Sequence, residues 1–339
     1  MSIPTVSRRN LLKQAGLGAA AAMLLPHLPA HAATKMVAAL SWVPNVEHAG
    51  TWLAVERGFF AAEGIEFGYL PGGPNAPDPM SVLAAGNCQF GSVGYLPFLD
   101  AVKRGNDFVI VGAVFPINPQ AAMSLAARPV LKPADLVGAR ILGQSPTYTL
   151  MVDAMLKSAN QPLDYEYILT GFSPEPLLSG DGDVYLCHAT NQPITLEKMG
   201  LVRGKDFFVT MFNDLGYRTP GGLIITSRDI IRNQRELVVG YLRALAKGWK
   251  LNAEDPAAAA QLAVRKYGVD LGLDLAQQTR QNELQVPLNR LPDRDFLWFD
   301  TGIVDTELRE IAIAAGQENV PPASQIVDLS MLEEALRSL

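Results

Sequence analysis

The stretch KMVAALSWVPNVEHAGTWLAVERGFFAAEGIEFGYL, residues 35–70, decides the fold. Met36 to Trp42 reads as a buried strand. A helix is expected from His48 to Ala62, with Ala49, Leu53, Phe59 and Phe60 on a broad apolar face. Ile65 to Tyr69 is a short alternating strand. Strand, helix, strand in so few residues is the opening unit of an α/β sheet.

Downstream the same rhythm continues. Asp78 with Pro79 marks a helix start, and Gly86 its stop. Phe90–Val93 and Phe108–Val114 read as strands around a helix at Leu96–Arg104. A second series follows Met123–Ala126: strands at Arg140–Gly143, Tyr165–Leu169, Val184–Cys187 and Phe207–Phe212, separated by helices. Leu223–Thr226 is one more strand, after which the chain is helical. The reading is therefore α/β, with two lobes joined by two segments. The first lobe takes 33–126, an inserted second lobe 127–224, and a helical return to the first lobe 225–339, with crossings near Ala127 and Gly222. Such a hinge lets lobes close on a guest, and in open α/β sheets the guest lies beyond the carboxyl ends of the strands.

The N-terminus adds a destination. Ser7-Arg8-Arg9-Asn10-Leu11-Leu12-Lys13, an apolar run from Ala15 to Leu25, and Ala30-His31-Ala32 form a basic, apolar, small-residue series. That is an export signal, removed after Ala32, and the paired arginines resemble the twin-arginine type. The run falls short of the roughly 20 residues a membrane span needs. Residues 1–32 are thus read as a signal peptide and the remainder as a periplasmic protein without membrane insertion.

Composition narrows the partners. The formal net charge is -6, with a basic leader included, so the remainder is more acidic still. This disfavours nucleic acid and anionic membrane surfaces. The two cysteines, Cys88 and Cys187, fall in different lobes and are expected as buried thiols.

Ser41-Trp42-Val43-Pro44-Asn45, His48-Ala49-Gly50 and Gly58-Phe59-Phe60 form one cluster; Gly182-Asp183-Val184 and Thr190-Asn191-Gln192-Pro193 form another. Together they resemble the periplasmic binding proteins for the pyrimidine precursor of thiamine, within the superfamily that also binds sulfonates, taurine and nitrate. The resemblance implies a type II periplasmic binding protein fold, a small-molecule ligand, a permease of an ABC importer as partner, and a monomer. No cofactor, metal or catalytic residue is expected, since His188 lacks a metal-ligating partner at useful spacing other than the adjacent Cys187 and no nucleophile–base pair is readable. Gln192 stands where these proteins usually carry Glu, and an amide offers one acceptor and two donors where a carboxylate only accepts.

Candidate ligand contacts sit where strands end. Trp42 offers a face for stacking a ring and Asn45 can read a polar edge. His48 opens the first long helix, and Tyr95 and Asn118 follow two further strands. In the second lobe Gln144, Ser145 and Thr147 join a strand to a helix start, where N–H groups and hydroxyls are free. His188, Asn191, Asn213 and Asp214 end two more strands. Each has a structural alternative: Asn118 as a turn former, Ser145, Thr147 or Asn191 as a helix cap, Asp214 as a turn. Only Arg218 lies near these loops, so a mostly uncharged, ring-containing solute is expected rather than an anion. The alternatives are a sulfonate- or nitrate-binding protein, a periplasmic sensor, and an enzyme like the fungal thiamine-pyrimidine synthases, whose substrate-donating histidine His48 resembles.

Overall fold

Apolar runs bounded by glycine, proline and polar turns become ten strands in the computed structural model, which describes residues 33–73 and 75–339. The expected export signal, residues 1–32, lies outside the described residues. The strands are β1 (Thr34–Ala39), β2 (Ile65–Leu70), β3 (Phe90–Val93), β4 (Phe108–Phe115), β5 (Gln120–Leu125), β6 (Ala139–Gly143), β7 (Tyr165–Leu169), β8 (Val184–His188), β9 (Phe207–Met211) and β10 (Gly221–Ser227). They form two five-stranded sheets, ordered β2-β1-β3-β10-β4 and β7-β6-β8-β5-β9. In the first, β1 runs parallel to β2 and β3, while β10 is antiparallel to β3 and β4. In the second, β6 runs parallel to β7 and β8, while β5 is antiparallel to β8 and β9. Each sheet is thus four parallel strands with one reversed strand slotted between them.

The reversed strands are the ones by which the chain enters a new lobe, and they correct the expected boundaries. β5 was expected to stay in the first lobe and β10 was split by the boundary at 224. In the structure β5 lies wholly in the second sheet and β10 wholly in the first. The crossings therefore fall at residues 116–119 and 212–220. Asn118 fixes them together: its Nδ2 donates to Thr219 Oγ1 at 3.0 Å, and its Oδ1 accepts the Gln120 N–H at 3.1 Å. The return segment is also not uniform, because helix Glu307–Ala314 packs on helix Tyr148–Ser158 of the second lobe. Residues 33–339 otherwise form one unit.

The expected helix at 48–62 is two pieces, Ala49–Glu56 and Phe59–Ala62. Gly58, at φ 68°, breaks it, since the left-handed region suits glycine and ends helices. Helix Ala49–Glu56 packs against the long helix Arg228–Glu254. A Cβ on Gly50 would overlap the Trp249 ring, and one on Gly248 would overlap the Gly50 carbonyl, so both glycines permit this approach. Trp249 is buried at this contact, and Trp52, also buried, stacks on Tyr267. The outer side of β4 is covered by the C-terminal part of the chain. Ala113 donates to the Leu297 carbonyl at 2.8 Å, Asp328 donates to the Ile110 carbonyl at 2.9 Å, and Val327 bridges Ile110. Leu297 adopts φ 68° to present that carbonyl, a conformation costing a side-chain-bearing residue about 1–2 kcal/mol. Among the described residues no helix is long and apolar enough to cross a membrane.

Candidate ligand-binding cleft

The loops that follow β1, β3, β4, β6, β8 and β9 converge between the sheets on a cavity of about 850 Å³. On the first-lobe side the turn Asn45–His48 forms the wall. Asn45 is buried and caps the turn: its Oδ1 accepts the Glu47 N–H at 2.9 Å, its carbonyl accepts the Trp52 indole at 2.8 Å, and its Nδ2 donates to Glu47 Oε1 at 3.2 Å. Buried amides from helix Leu275–Gln285 hold the turn from behind. Gln278 Oε1 accepts the Val46 N–H at 3.0 Å, Gln285 Nε2 donates to the Val46 carbonyl at 2.7 Å, and Gln281 Nε2 donates to Glu47 Oε1 at 3.2 Å. Gly72 donates to the Trp42 carbonyl at 3.0 Å, at a spot where a Cβ would collide with the Leu40–Trp42 backbone.

His48 is buried, and its Nε2 has no protein partner. Burial lowers its pKa against the opposing pull of Glu47 and the Trp42 backbone, because desolvation penalises the charged imidazolium. The ring is therefore neutral near pH 7. A neutral imidazole carries one donor and one acceptor nitrogen, and Nε2 is the one without a protein partner.

The second-lobe wall is built on β6 and β8. Gln144 Nε2 donates to the Leu186 carbonyl at 3.0 Å, and Tyr167 donates to the Ser145 carbonyl at 2.5 Å, past Gly143, where a Cβ would strike the Tyr167 ring. Ser145 and Thr147 share a hydroxyl–hydroxyl bond of 2.8 Å; Thr147 makes no side-chain cap on helix Tyr148–Ser158. Gln192 Oε1 turns back to accept the His188 N–H at 2.9 Å. Asn191 does not cap helix Gln192–Lys198 either; its Oδ1 accepts from Gln277 across the cleft at 3.1 Å. Cys88 and Cys187 are free and buried. Burial pushes the Cys187 thiol up to about 12, so this lining residue stays protonated.

Ten of the twelve sequence candidates line the cavity: Trp42, Asn45, His48, Tyr95, Asn118, Gln144, Ser145, Thr147, His188 and Asn191. Asn213 and Asp214 do not, because the chain turns immediately after β9 and presents Phe212 and Tyr217 instead. Arg218 also points elsewhere, 3.7 Å from Glu307. Glu47, Tyr148 and Phe172 also line the cavity, outside the sequence candidates. Phe172 meets Trp42 edge-on across the cleft, centroids 5.0 Å apart. Glu47 Oε1 lies 3.8 Å from His188 Nδ1, one lobe facing the other. An Asn two residues before Glu47 was the available signal for the turn; nothing local signals its burial. Among the described residues no lysine or arginine lines the cavity, and no group of three or more His, Cys, Asp or Glu is placed to hold a metal.

The family model described as NMT1/THI5 like matches residues 45–259. The chain belongs to that family. The formylaminopyrimidine-binding protein of Halalkalibacterium halodurans is 24% identical over 263 residues, covering 74% of this chain and 76% of that one. The 4-amino-5-hydroxymethyl-2-methylpyrimidine phosphate synthase of Legionella pneumophila is 23% identical over 234 residues, covering 68% and 72%. The periplasmic aliphatic sulphonate-binding protein SsuA of Escherichia coli superposes with TM-score 0.64 at 15% identity, covering 88% of this chain and 91% of that one. The NMT1/THI5-like chain thus has the periplasmic binding protein fold its strand order announced.

Proposed function

We propose that this chain is a periplasmic solute-binding protein of an ABC-type importer, closing on a small, nitrogen-bearing ring compound without turning it over. The observation that carries the reading is the make-up of the cavity. Its aromatic faces, Trp42, Phe115, Tyr148 and Phe172, come with amides and hydroxyls and with no cationic side chain. Flat apolar faces plus a few placed polar groups suit a heterocycle. A sulfonate or nitrate would need donors of positive charge aimed at it, and the cavity offers carboxylates instead: Glu47, Asp78 and Asp274. Relatedness to a protein named for formylaminopyrimidine binding supports the same choice. Contacts made by Trp42, Asn45, His48, Tyr95, Gln144, Ser145, Thr147, His188 and Asn191 belong to this proposal.

A synthase reading rests on one relative and on His48, a cavity-lining residue whose Nε2 is unpartnered. The two readings separate in one experiment. The chain lacking residues 1–32 is screened by thermal shift against heterocycles, sulfonates and nitrate, and each stabilising compound is recovered and weighed. Stabilisation by heterocycles, with the compound returned unchanged, is the expected result, since a ligand bound only by the folded state raises its stability by mass action. A recovered product favours the synthase, and stabilisation by sulfonates alone removes the aromatic-pocket reading. Trp42→Ala is expected to weaken binding at least about tenfold through lost stacking; unchanged affinity takes Trp42 out of the site.

A further inference from the structure

We propose that Glu47 selects the solute by demanding a donor edge, so that a ring bearing an amino group binds in preference to the same ring bearing an oxo group, and that Gln281 is the positioning residue behind it. The inference rests on the reading of the cleft as a heterocycle site.

Three observations meet at this end of the cavity. Glu47 lines it although only 11% of its side chain is exposed. Both protein bonds to its carboxylate, from Asn45 and Gln281, fall on Oε1, leaving Oε2 for a guest. Beside it, His48 is nine-tenths buried with Nε2 unpartnered. Across the gap, His188 Nδ1 is buried without a hydrogen-bond partner and stands 3.8 Å from Glu47 Oε1, beyond hydrogen-bond range. Among the described residues no lysine or arginine lines the cavity to satisfy the carboxylate.

A free carboxylate oxygen wants an N–H group from the guest. An amino group satisfies it with a charge-assisted bond. An oxo group in the same place leaves it dry and sets an oxygen against a carboxylate, and sites built to hydrogen-bond a donor reject analogues lacking it strongly. Gln281 is fully buried; its Nε2 holds Glu47 Oε1, and its own Oε1 accepts from Gln278 at 3.3 Å. That ladder fixes which carboxylate oxygen turns inward.

The test is calorimetry with matched amino and oxo pairs of one pyrimidine and one purine, on the natural chain, Glu47→Gln and Gln281→Leu, each first checked for folding by circular dichroism. The natural chain is expected to favour the amino member of the better-bound pair by at least about tenfold. Glu47→Gln should reduce that ratio to within about threefold of unity, because the amide can face either edge. Gln281→Leu should lower the ratio to an intermediate value; a purely structural role would weaken both members alike and leave it unmoved. If Glu47→Gln folds and binds with its amino-to-oxo ratio intact, the assignment of Glu47 is overturned while the heterocycle site stands. If the natural chain prefers the oxo member, the assignment also fails. If it binds neither pair but takes sulfonates, the site reading and this inference fall together. Should Gln281→Leu not fold, Gln281→Met and the Glu47→Gln ratio decide the matter.

Discussion

At the residue scale, His48 joins the cleft to the stability of the whole. Its pKa is held below the ordinary 6.5 chiefly by burial. On acidification the unfolded chain therefore takes up a proton at this site first, near pH 6.5, while the folded chain still refuses it. Where the unfolded state binds more protons, stability falls with falling pH. The contribution is complete above about pH 6.5 and is lost as pH drops toward the folded value. His48→Gln should flatten that part of the profile, measured as the difference in denaturant midpoint between about pH 7.5 and pH 5.5; an unaltered slope would remove His48 from the acid sensitivity. Legibility at this scale was uneven. His48 and Trp42 were readable because they end a strand or start a helix. Glu47 was not, because its place depends on Gln281, 234 positions later.

Elements were the most legible level. Tyr165–Leu169 and Phe90–Val93 were read to the residue because β-branched and aromatic runs sit between glycine, proline and polar turns. The break at Gly58 was missed since apolar periodicity continues across it in Phe59 and Phe60. β5 was misplaced for a different reason. Gln120–Leu125 has no signature saying which sheet it joins; that is settled by partners β8 and β9, dozens of residues away. The helix pair Ala49–Glu56 and Arg228–Glu254 carries a prediction of its own. Gly50→Ala would drive a methyl into the Trp249 ring, and overpacking of this kind costs about 1–3 kcal/mol. A matching drop in unfolding free energy is expected, together with weaker ligand binding, because the helix begins immediately after His48. Wild-type stability in Gly50→Ala would mean the two helices part without penalty.

For the whole molecule, the two crossings carry the chain between the sheets, and Asn118–Thr219 ties one to the other. Asn118→Ala should loosen that coupling: small-angle scattering of the ligand-free chain should give a larger radius of gyration, and affinity should fall severalfold, because the competent closed form is less populated. Unchanged values for both would show the clamp to be incidental. The lobed plan itself was legible from the doubled strand–helix series; the crossing points and the excursion of Glu307–Ala314 onto the second lobe were not, since both are decided by long-range packing. The covering of β4 has a consequence of another kind. Its residues, Phe108–Phe115, are FVIVGAVF, almost wholly apolar; the backbone of Leu297 and Val327–Asp328 bonds the side that β10 leaves open, and Asn289 Nδ2 donates to the Val114 carbonyl. An unpaired flat strand of that composition is a template for intermolecular β-pairing. The last forty-odd residues thus serve as a guard against self-association: a chain cut before Leu297 is expected to express as aggregate, its fibrils scored by thioflavin fluorescence, even though every residue of the proposed site is retained.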